Sequence, residues 1–377
     1  MTADVLVLNT GSSSIKYQVV DPHTGVRRAT GLVERVDGAH AVAAALAAEP
    51  ALADVSPAAV GHRVVHGGRR FTDPAVIDDG VLAAISDLAP LAPLHIPANV
   101  EGIRVARSAF PHVPHVAVFD TAFHRTLPSH AFTYAVPREW HERHGVRRYG
   151  FHGISYQYVT RRAAAFLARD PADVNLIVLH LGNGASACAV EGGRSVETSM
   201  GLTPLEGLVM GSRSGDVDPA LPAYMERVAG LDGAAVDAAL NQESGLVGLA
   251  GSNDLRDVRE AVEHGDPHAR LAVDVYCHRI RKYVGAYYAV LGRVDAVVFT
   301  AGVGEHDAGV REQALTGLER LGIAVDPERN AAAGGGARSV SPDGADVPVL
   351  VVPTDEELEI AGQALDLLRA RPSDAPG

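Results

Sequence analysis

The sequence predicts an α/β protein of two related domains, and three observations carry that expectation. Apolar runs rich in Val, Ile and Leu alternate with stretches of helical periodicity, the pattern of mixed or parallel sheets flanked by helices. The chain has 377 residues, 47% of them apolar, which exceeds one hydrophobic core and suffices to fill two. Finally, VLVLNTGSSSIKYQVVD, from Val5 to Asp21, is echoed by LIVLHLGNGASACAVEGG, from Leu176 to Gly193. Each reads as a strand, a turn of Gly with Ser or Asn, and a second strand. Any two hairpins share some of this, but one heading each half of the chain suggests two similar lobes that present their turns to a shared cleft.

In chain order, strands are expected over 5–8, 15–20, 60–65, 116–119, 176–180, 296–300 and 347–352. The clearest helical patterns are 271–291 and 308–321, the latter with Val310, Ala314, Leu318 and Leu321 at three- and four-residue spacing. The last helix opens in TDEELEIAGQAL, where Thr354 and Glu357 have the spacing of a capping box. The closing PSDAPG reads as a frayed tail.

Charge and composition exclude several classes of function. A net charge of -13 with no run of Lys or Arg argues against a nucleic-acid or membrane-surface partner, since both need a clustered positive field. There is no apolar stretch of membrane-spanning length, and the first residues lead into a strand pattern rather than a signal peptide, so the expected location is the cytoplasm. Cys188 and Cys277 have neither disulfide-framework nor zinc spacing and read as small buried hydrophobes. Only two of the 33 basic residues are lysines, Lys16 and Lys282, which makes a lysine in the first hairpin conspicuous.

The chemistry-bearing residues lie in and after the strands. In the first turn Gly11 would admit close approach of an anion, Ser12 and Ser14 would donate hydroxyls, and Lys16 would follow on the same strand face. Asn9 could hold a metal or water through its amide oxygen. The alternative is a solvent-exposed hairpin with a surface lysine; the second hairpin, with Gly182, Asn183 and Gly184, favours the phosphate reading. GHRVVHGG puts Arg63 in an apolar strand, where a guanidinium needs an anionic partner from protein or ligand, while His62 and His66 do not converge as metal ligands would. VFDTAFH ends a strand at Asp120, YGFHGIS sets Phe151 and His152 between glycines, and GSRSGDVDP places Arg213 in a polar loop. GSNDLRD could border a base or ribose through Asp254 and Arg256. FTAGVGEHD is a strand, Gly-rich turn and helix that could approach a nucleotide, without the dinucleotide fingerprint.

Together NTGSSSIKYQ, GHRVVHGG, VFDTAFH, RRYGFHG, HLGNGAS, TSMGLTPLEGLVMGSRSGDVDP, SGLVGLAGSNDLRDV, FTAGVGE and PTDEELEIA stand in the order of the acetate kinase family, which the chain resembles over nearly its whole length. The resemblance implies the actin-like, sugar-kinase-like ATPase architecture: two lobes, each a ribonuclease-H-like mixed sheet flanked by helices, with the active-site cleft between them. The N-terminal lobe would be 1–124 with 358–377 and the C-terminal lobe 125–357, the latter carrying the nucleotide-binding and dimerisation surfaces of a homodimer. The implied reaction is reversible transfer of the ATP γ-phosphoryl group to acetate, giving acetyl phosphate and ADP, with Mg2+ or Mn2+. Propionate or another short acid is the alternative acceptor, and an ATP-binding module of actin-like type without small-acid kinase activity is an alternative of another class.

Carried over, the resemblance places Asn9 and Glu356 at the metal, with Glu356 preferred to Glu357 because of the capping box. It places Ser12, Ser14 and Lys16 at the phosphate hairpin, and Arg63, Arg213 and His152 about the transferring phosphoryl. Asp120, His95 and Phe151 would adjoin the acyl carboxylate. His180, Gly182, Asn183, Gly184, Asp254, Leu255, Arg256, Gly302 and Gly304 would border ATP. Ile96, Ile154, Tyr156 and His306 depart from the family's usual residues, and the 37–60 segment is shorter than usual.

Overall fold

The computed structural model describes residues 4–10, 14–34, 50–52 and 56–370. The chain forms two compact units, one of Met1–Arg125, Gly153–Tyr158 and Asp355–Gly377, the other of Thr126–His152 and Val159–Thr354. The expected closing tail and most of the short 37–60 segment lie outside the described residues.

The first unit is built on six strands, β1 (Val5–Thr10), β2 (Ser14–Val20), β3 (Arg27–Glu34), β4 (Ala59–Val64), β5 (Ala75–Val76) and β6 (His115–Phe119), in the order β3-β2-β1-β4-β6-β5. β1 and β2 form the expected hairpin, in antiparallel register with Asn9 opposite Lys16, while β1, β4 and β6 run parallel. Parallel strands are covered on both faces, which explains why these read as unbroken apolar runs. Leu6, Leu8 and Val60 pack with Val105 and Ala106, and Val64, Ala117 and Phe119 with Ile96, Val100 and Ile103, all under the helix Ile96–Ala109. Val5, Val7, Val116 and Val118 face Ile360, Ala364 and Leu365 of the helix Glu356–Ala370. That helix sits close because Gly61 is in β4: a Cβ there would stand 2.7 Å from Ile360 Cγ2.

The second unit repeats the plan. Its strands are β7 (Asn175–Leu181), β8 (Ala185–Glu191), β9 (Arg194–Thr198), β10 (Ala296–Thr300), β11 (Arg338–Ser339) and β12 (Val349–Val351), in the order β9-β8-β7-β10-β12-β11. Again the first two strands form an antiparallel hairpin, the first runs parallel to the fourth and the fourth to the sixth, and the two-residue fifth strand pairs antiparallel at the edge. The expected fold class is thus present in both units, and the likeness of the two hairpins extends to whole sheets. Helix Pro267–Leu291 buries a stripe from Ala269 to Leu291 that includes Tyr276, Cys277, Ile280 and Val284. It starts a turn earlier than its periodicity suggests, because Asp266 caps it by accepting from the His268 amide at 2.8 Å, and Pro267 suits the first turn. Cys188 and Cys277 are buried, and burial pushes both thiols up to about 12.

Two expected elements change. The helix expected over 308–321 is Ala308–Leu315 followed by a short 3-10 turn, Glu319–Leu321. Thr316 is no longer helical (ψ 128°) and Gly317 is left-handed (φ 89°), so the backbone leaves the helix there although the apolar spacing continues. At the last helix, Asp355 rather than Thr354 takes the capping place: its Oδ1 accepts from the Leu358 amide at 3.1 Å, while the Thr354 amide donates to Glu305. No helix among the described residues is long and apolar enough to cross a membrane.

Candidate functional site

In open sheets of this kind ligands collect beyond the carboxyl ends of the parallel strands. At that edge of the first unit, Arg63 stands one residue before the end of β4 and β6 is followed at once by Asp120, whose amide donates to Val64 O at 3.0 Å. Arg63 Nη2 donates to Asp120 Oδ2 at 2.6 Å and Nε to Oδ1 at 3.2 Å, a two-pronged pairing. Glu356 Oε2 lies 3.5 Å from Arg63 Nε. The partner expected for a guanidinium in an apolar strand is therefore a protein carboxylate. Burial works against the Arg63 charge, but Asp120 and Glu356 outweigh it and hold its pKa above the usual value. Burial pushes the Asp120 carboxyl up to about 6, with Arg63 pulling it down and Glu356 pushing it further up.

Two contacts absent from the sequence reading shape this edge. Buried Asn99 accepts from the Val65 amide at 3.1 Å and donates to Thr10 O at 3.2 Å, tying the ends of β1 and β4 together. Gly153 donates its amide to Asp120 O at 2.7 Å, and a Cβ on it would stand 2.2 Å from that oxygen, so glycine is required for the approach. Asn9 is half-buried at the end of β1, opposite exposed Lys16. Ser14 opens β2 with its side chain outside the described residues, as Ser12 is altogether. His95 immediately precedes helix Ile96–Ala109, and Ile96 is fully buried among Val64, Phe71 and Phe119. Ile154 is likewise core, and Tyr156 packs edge-on against His124. His62 is buried against His115, with Nε2 and Nδ1 2.9 Å apart, the structural role its spacing suggested.

At the corresponding edge of the second unit, the turn between β7 and β8 carries Gly182, Asn183 and Gly184. His152, left-handed at φ 58°, shares a 2.8 Å hydrogen bond between Nδ1 and Ser186 Oγ and stacks on His180 with ring centroids 4.1 Å apart. A Cβ on Gly184 would lie 3.6 Å from both His152 Nε2 and Arg213 Nη1, so these two side chains converge over the turn. Arg213 Nη1 donates to Pro204 O at 3.2 Å, and among the described residues Arg213 has no ion pair. Burial lowers its pKa with no carboxylate to offset the effect. Phe151 is buried beside this segment in the chain.

A pocket of about 820 Å³ opens beside the turn, lined by Asn183, Leu255, Gly302, Val303, Tyr276 and His306 among others. Asp254 and Arg256 also line it. Asp254 caps helix Leu255–Glu263 and pairs with Arg256 at 2.5 Å, and that hydrogen bonding holds the Asp254 carboxyl down to about 2. Gly302 is exposed to the pocket, whereas Gly304 packs against Phe299 and does not line it. The structure thus gathers Arg63, Asp120 and Glu356 at one edge, His152, His180 and Arg213 at another, and Asn183 with Asp254, Leu255, Arg256 and Gly302 around one pocket. Asn99, Ser186 and Glu305 are the contributors that sequence reasoning missed.

Two duplicated mixed sheets with charged carboxyl edges and a nucleotide-sized pocket define a two-lobe ATPase of phosphotransferase type. The sequence profile of the Acetokinase family matches residues 45–362. An acetate kinase of Streptomyces avermitilis is 57% identical over 393 residues, covering 97% of this chain and 97% of that protein. That of Leifsonia xyli is 55% identical over 393 residues, with 97% and 99% covered. Among solved structures, Porphyromonas gingivalis acetate kinase superposes with a TM-score of 0.91 at 39% identity, covering 97% of this chain and all 100% of that one. A propionate kinase from Francisella tularensis gives 0.90 at 38%, with 97% and 99% covered. The chain belongs to the acetokinase family.

Proposed function

We propose that this chain transfers the γ-phosphoryl group of ATP to acetate, reversibly, forming acetyl phosphate and ADP. The observation that carries the reading at the level of the site is Arg213: a half-buried guanidinium with no carboxylate partner among the described residues, facing the Gly184 turn beside His152, is a cation placed for an anion. Phosphoryl transfer spreads charge over equatorial oxygens, so positioning and electrostatics supply most of the catalysis. In this reading Arg213 and Arg63 take up that charge, Asp120 holds the Arg63 guanidinium in orientation, and His152, fixed by Ser186, donates to the phosphoryl or acyl oxygen. The acceptor carboxylate is ionised at neutral pH and needs no general base, which suits an Asp120 already engaged by arginine. Asn183 faces the phosphates, Asp254, Leu255, Arg256 and Gly302 border the nucleoside, and Ser12, Ser14 and Lys16 belong to the phosphate hairpin. His95 and Phe151 adjoin the acyl group, with His180, Gly184 and Gly304 supporting the nucleotide side.

A divalent cation, Mg2+ or Mn2+, belongs to the same proposal. Asn9 and Glu356 offer oxygen donors at the carboxyl edge, and Mg2+ is ordinarily held by one or two such groups together with substrate phosphates and water. When bound it neutralises phosphate charge. We further place the protein in the cytoplasm as a homodimer. Propionate remains the second acceptor, favoured by the likeness to the Francisella enzyme; one methylene in an apolar pocket is worth only about 1–3 kcal/mol. The test is acyl phosphate formation, trapped by hydroxylamine, from Mg-ATP with acetate, propionate or butyrate. Product ranked acetate first supports the proposal. ATP binding with no product from any acid would leave a nucleotide-binding module.

A further inference from the structure

The turn after β10 holds a carboxylate to which the proposed reaction gives no role. Ala301 follows the strand at φ 64°, a left-handed conformation that disfavours any residue with a Cβ. Its amide donates to Glu305 Oε1 at 2.9 Å, and the same oxygen receives the Thr354 amide at 3.1 Å. Ala301 lies directly beyond β10 and Thr354 just beyond β12, so one side-chain oxygen ties the ends of two neighbouring parallel strands. The Glu305 main chain is anchored as well: its carbonyl accepts from Arg311 Nη1 at 3.0 Å, and Arg311 is itself buried, held by Asn330 Oδ1 at 2.7 Å. Gly302 and Val303, which line the pocket, stand between these two anchored points, and His306 follows them.

We infer that Glu305 is a positioning residue that locks the left-handed turn at Ala301, so that Gly302, Val303 and His306 form the pocket wall before the nucleotide arrives. This rests on reading the pocket as the nucleotide site. Among the described residues the Glu305 carboxylate serves as an acceptor for two amides. A side chain that keeps an acceptor oxygen at the same reach will serve, and a shorter one will leave both amides unmet and the turn free to relax.

The test is calorimetric titration of ADP, in chelator, into the wild-type protein and the Glu305→Gln, Glu305→Asp and Glu305→Ala variants, with steady-state kinetics beside it. Loss of preorganisation should raise the ADP Kd and the ATP KM by about tenfold or more in the Asp and Ala variants, with the acetate KM unchanged and Glu305→Gln within about threefold of wild type. If Glu305→Ala does not fold, the Asp variant decides alone. An unchanged ADP Kd in the variants, a parallel rise in the acetate KM, or a Gln variant as impaired as Ala overturns the inference while the nucleotide reading stands. A wild-type protein that does not bind ADP overturns both.

Discussion

Each of the two sheets ends its parallel strands beside an arginine, and the two arginines are treated in opposite ways. Arg63 is met by Asp120 at 2.6 Å and approached by Glu356 at 3.5 Å, whereas among the described residues Arg213 has only neutral acceptors, Pro204 O and Met210 Sδ. A compensated guanidinium keeps its pose without a ligand; an uncompensated one is held at a cost that an incoming anion removes. The same topology therefore supplies one preset cation and one that waits for its counter-charge.

The sharpest way to break the comparison is to delete each arginine. Arg213→Ala and Arg63→Ala should each lower the rate of acyl phosphate formation by about 10^3 to 10^5, or roughly 4 to 7 kcal/mol, by analogy with arginine fingers. Their stabilities should diverge. Arg63→Ala leaves Asp120, 1% exposed, buried without its partner and should cost about 3 kcal/mol in urea unfolding, whereas Arg213→Ala removes an uncompensated charge and should be neutral or stabilising. Equal destabilisation by both would dissolve the distinction.

Asp120 gives the next test. Its folded pKa of about 6 stands above the model-peptide value of about 3.9, so the folded state binds the proton more tightly than the unfolded chain. The penalty for ionising it is absent below about pH 4, grows as pH rises to about 6, and is constant above, amounting to about 3 kcal/mol. Asp120→Asn should flatten the fall in stability across that interval. In the wild type, activity should fall below about pH 6 as protonation weakens the Arg63 pairing, and the variant's remaining activity should lack that limb. A pH profile identical in the two proteins would remove Asp120 from this role.

The smallest effect concerns Ile96. Because it is fully buried among Val64, Phe71 and Phe119, Ile96→Val should cost about 0.5–1.5 kcal/mol of stability and leave the ranking of acetate, propionate and butyrate as it was. A changed ranking would show that this residue reaches the acyl group after all.

The parallel strands were legible because burial on both faces writes itself as a continuous apolar run, and Asp120 and the Gly182–Gly184 turn stood out because they follow such runs directly. Arg63 announced its need of a carboxylate by standing in such a run, but not that Asp120 would meet it 57 residues later. Contacts of that kind carry no period. Asn99 to Thr10 and Val65, and Glu305 to Ala301 and Thr354, join distant or irregular backbone through single side chains, and Ser186 meets His152 side chain to side chain. The expected helix through Gly317 failed for the converse reason: the apolar spacing persists, while one left-handed glycine redirects the chain beneath it.

Both sheets also differ at their two rims in a way that bears on self-association. β5 and β11 are two residues each, too short to template a foreign strand, and β9 is five. β3 is eight residues long with exposed Leu32, the one rim among the described strands with the length to recruit another chain. It carries Arg27 and Arg28, pinned to Asp355 and Asp4 at 2.5 and 2.7 Å. Charge on that strand opposes edge-to-edge growth, so neutralising the arginine pair should bring on aggregation at protein concentrations the native chain tolerates.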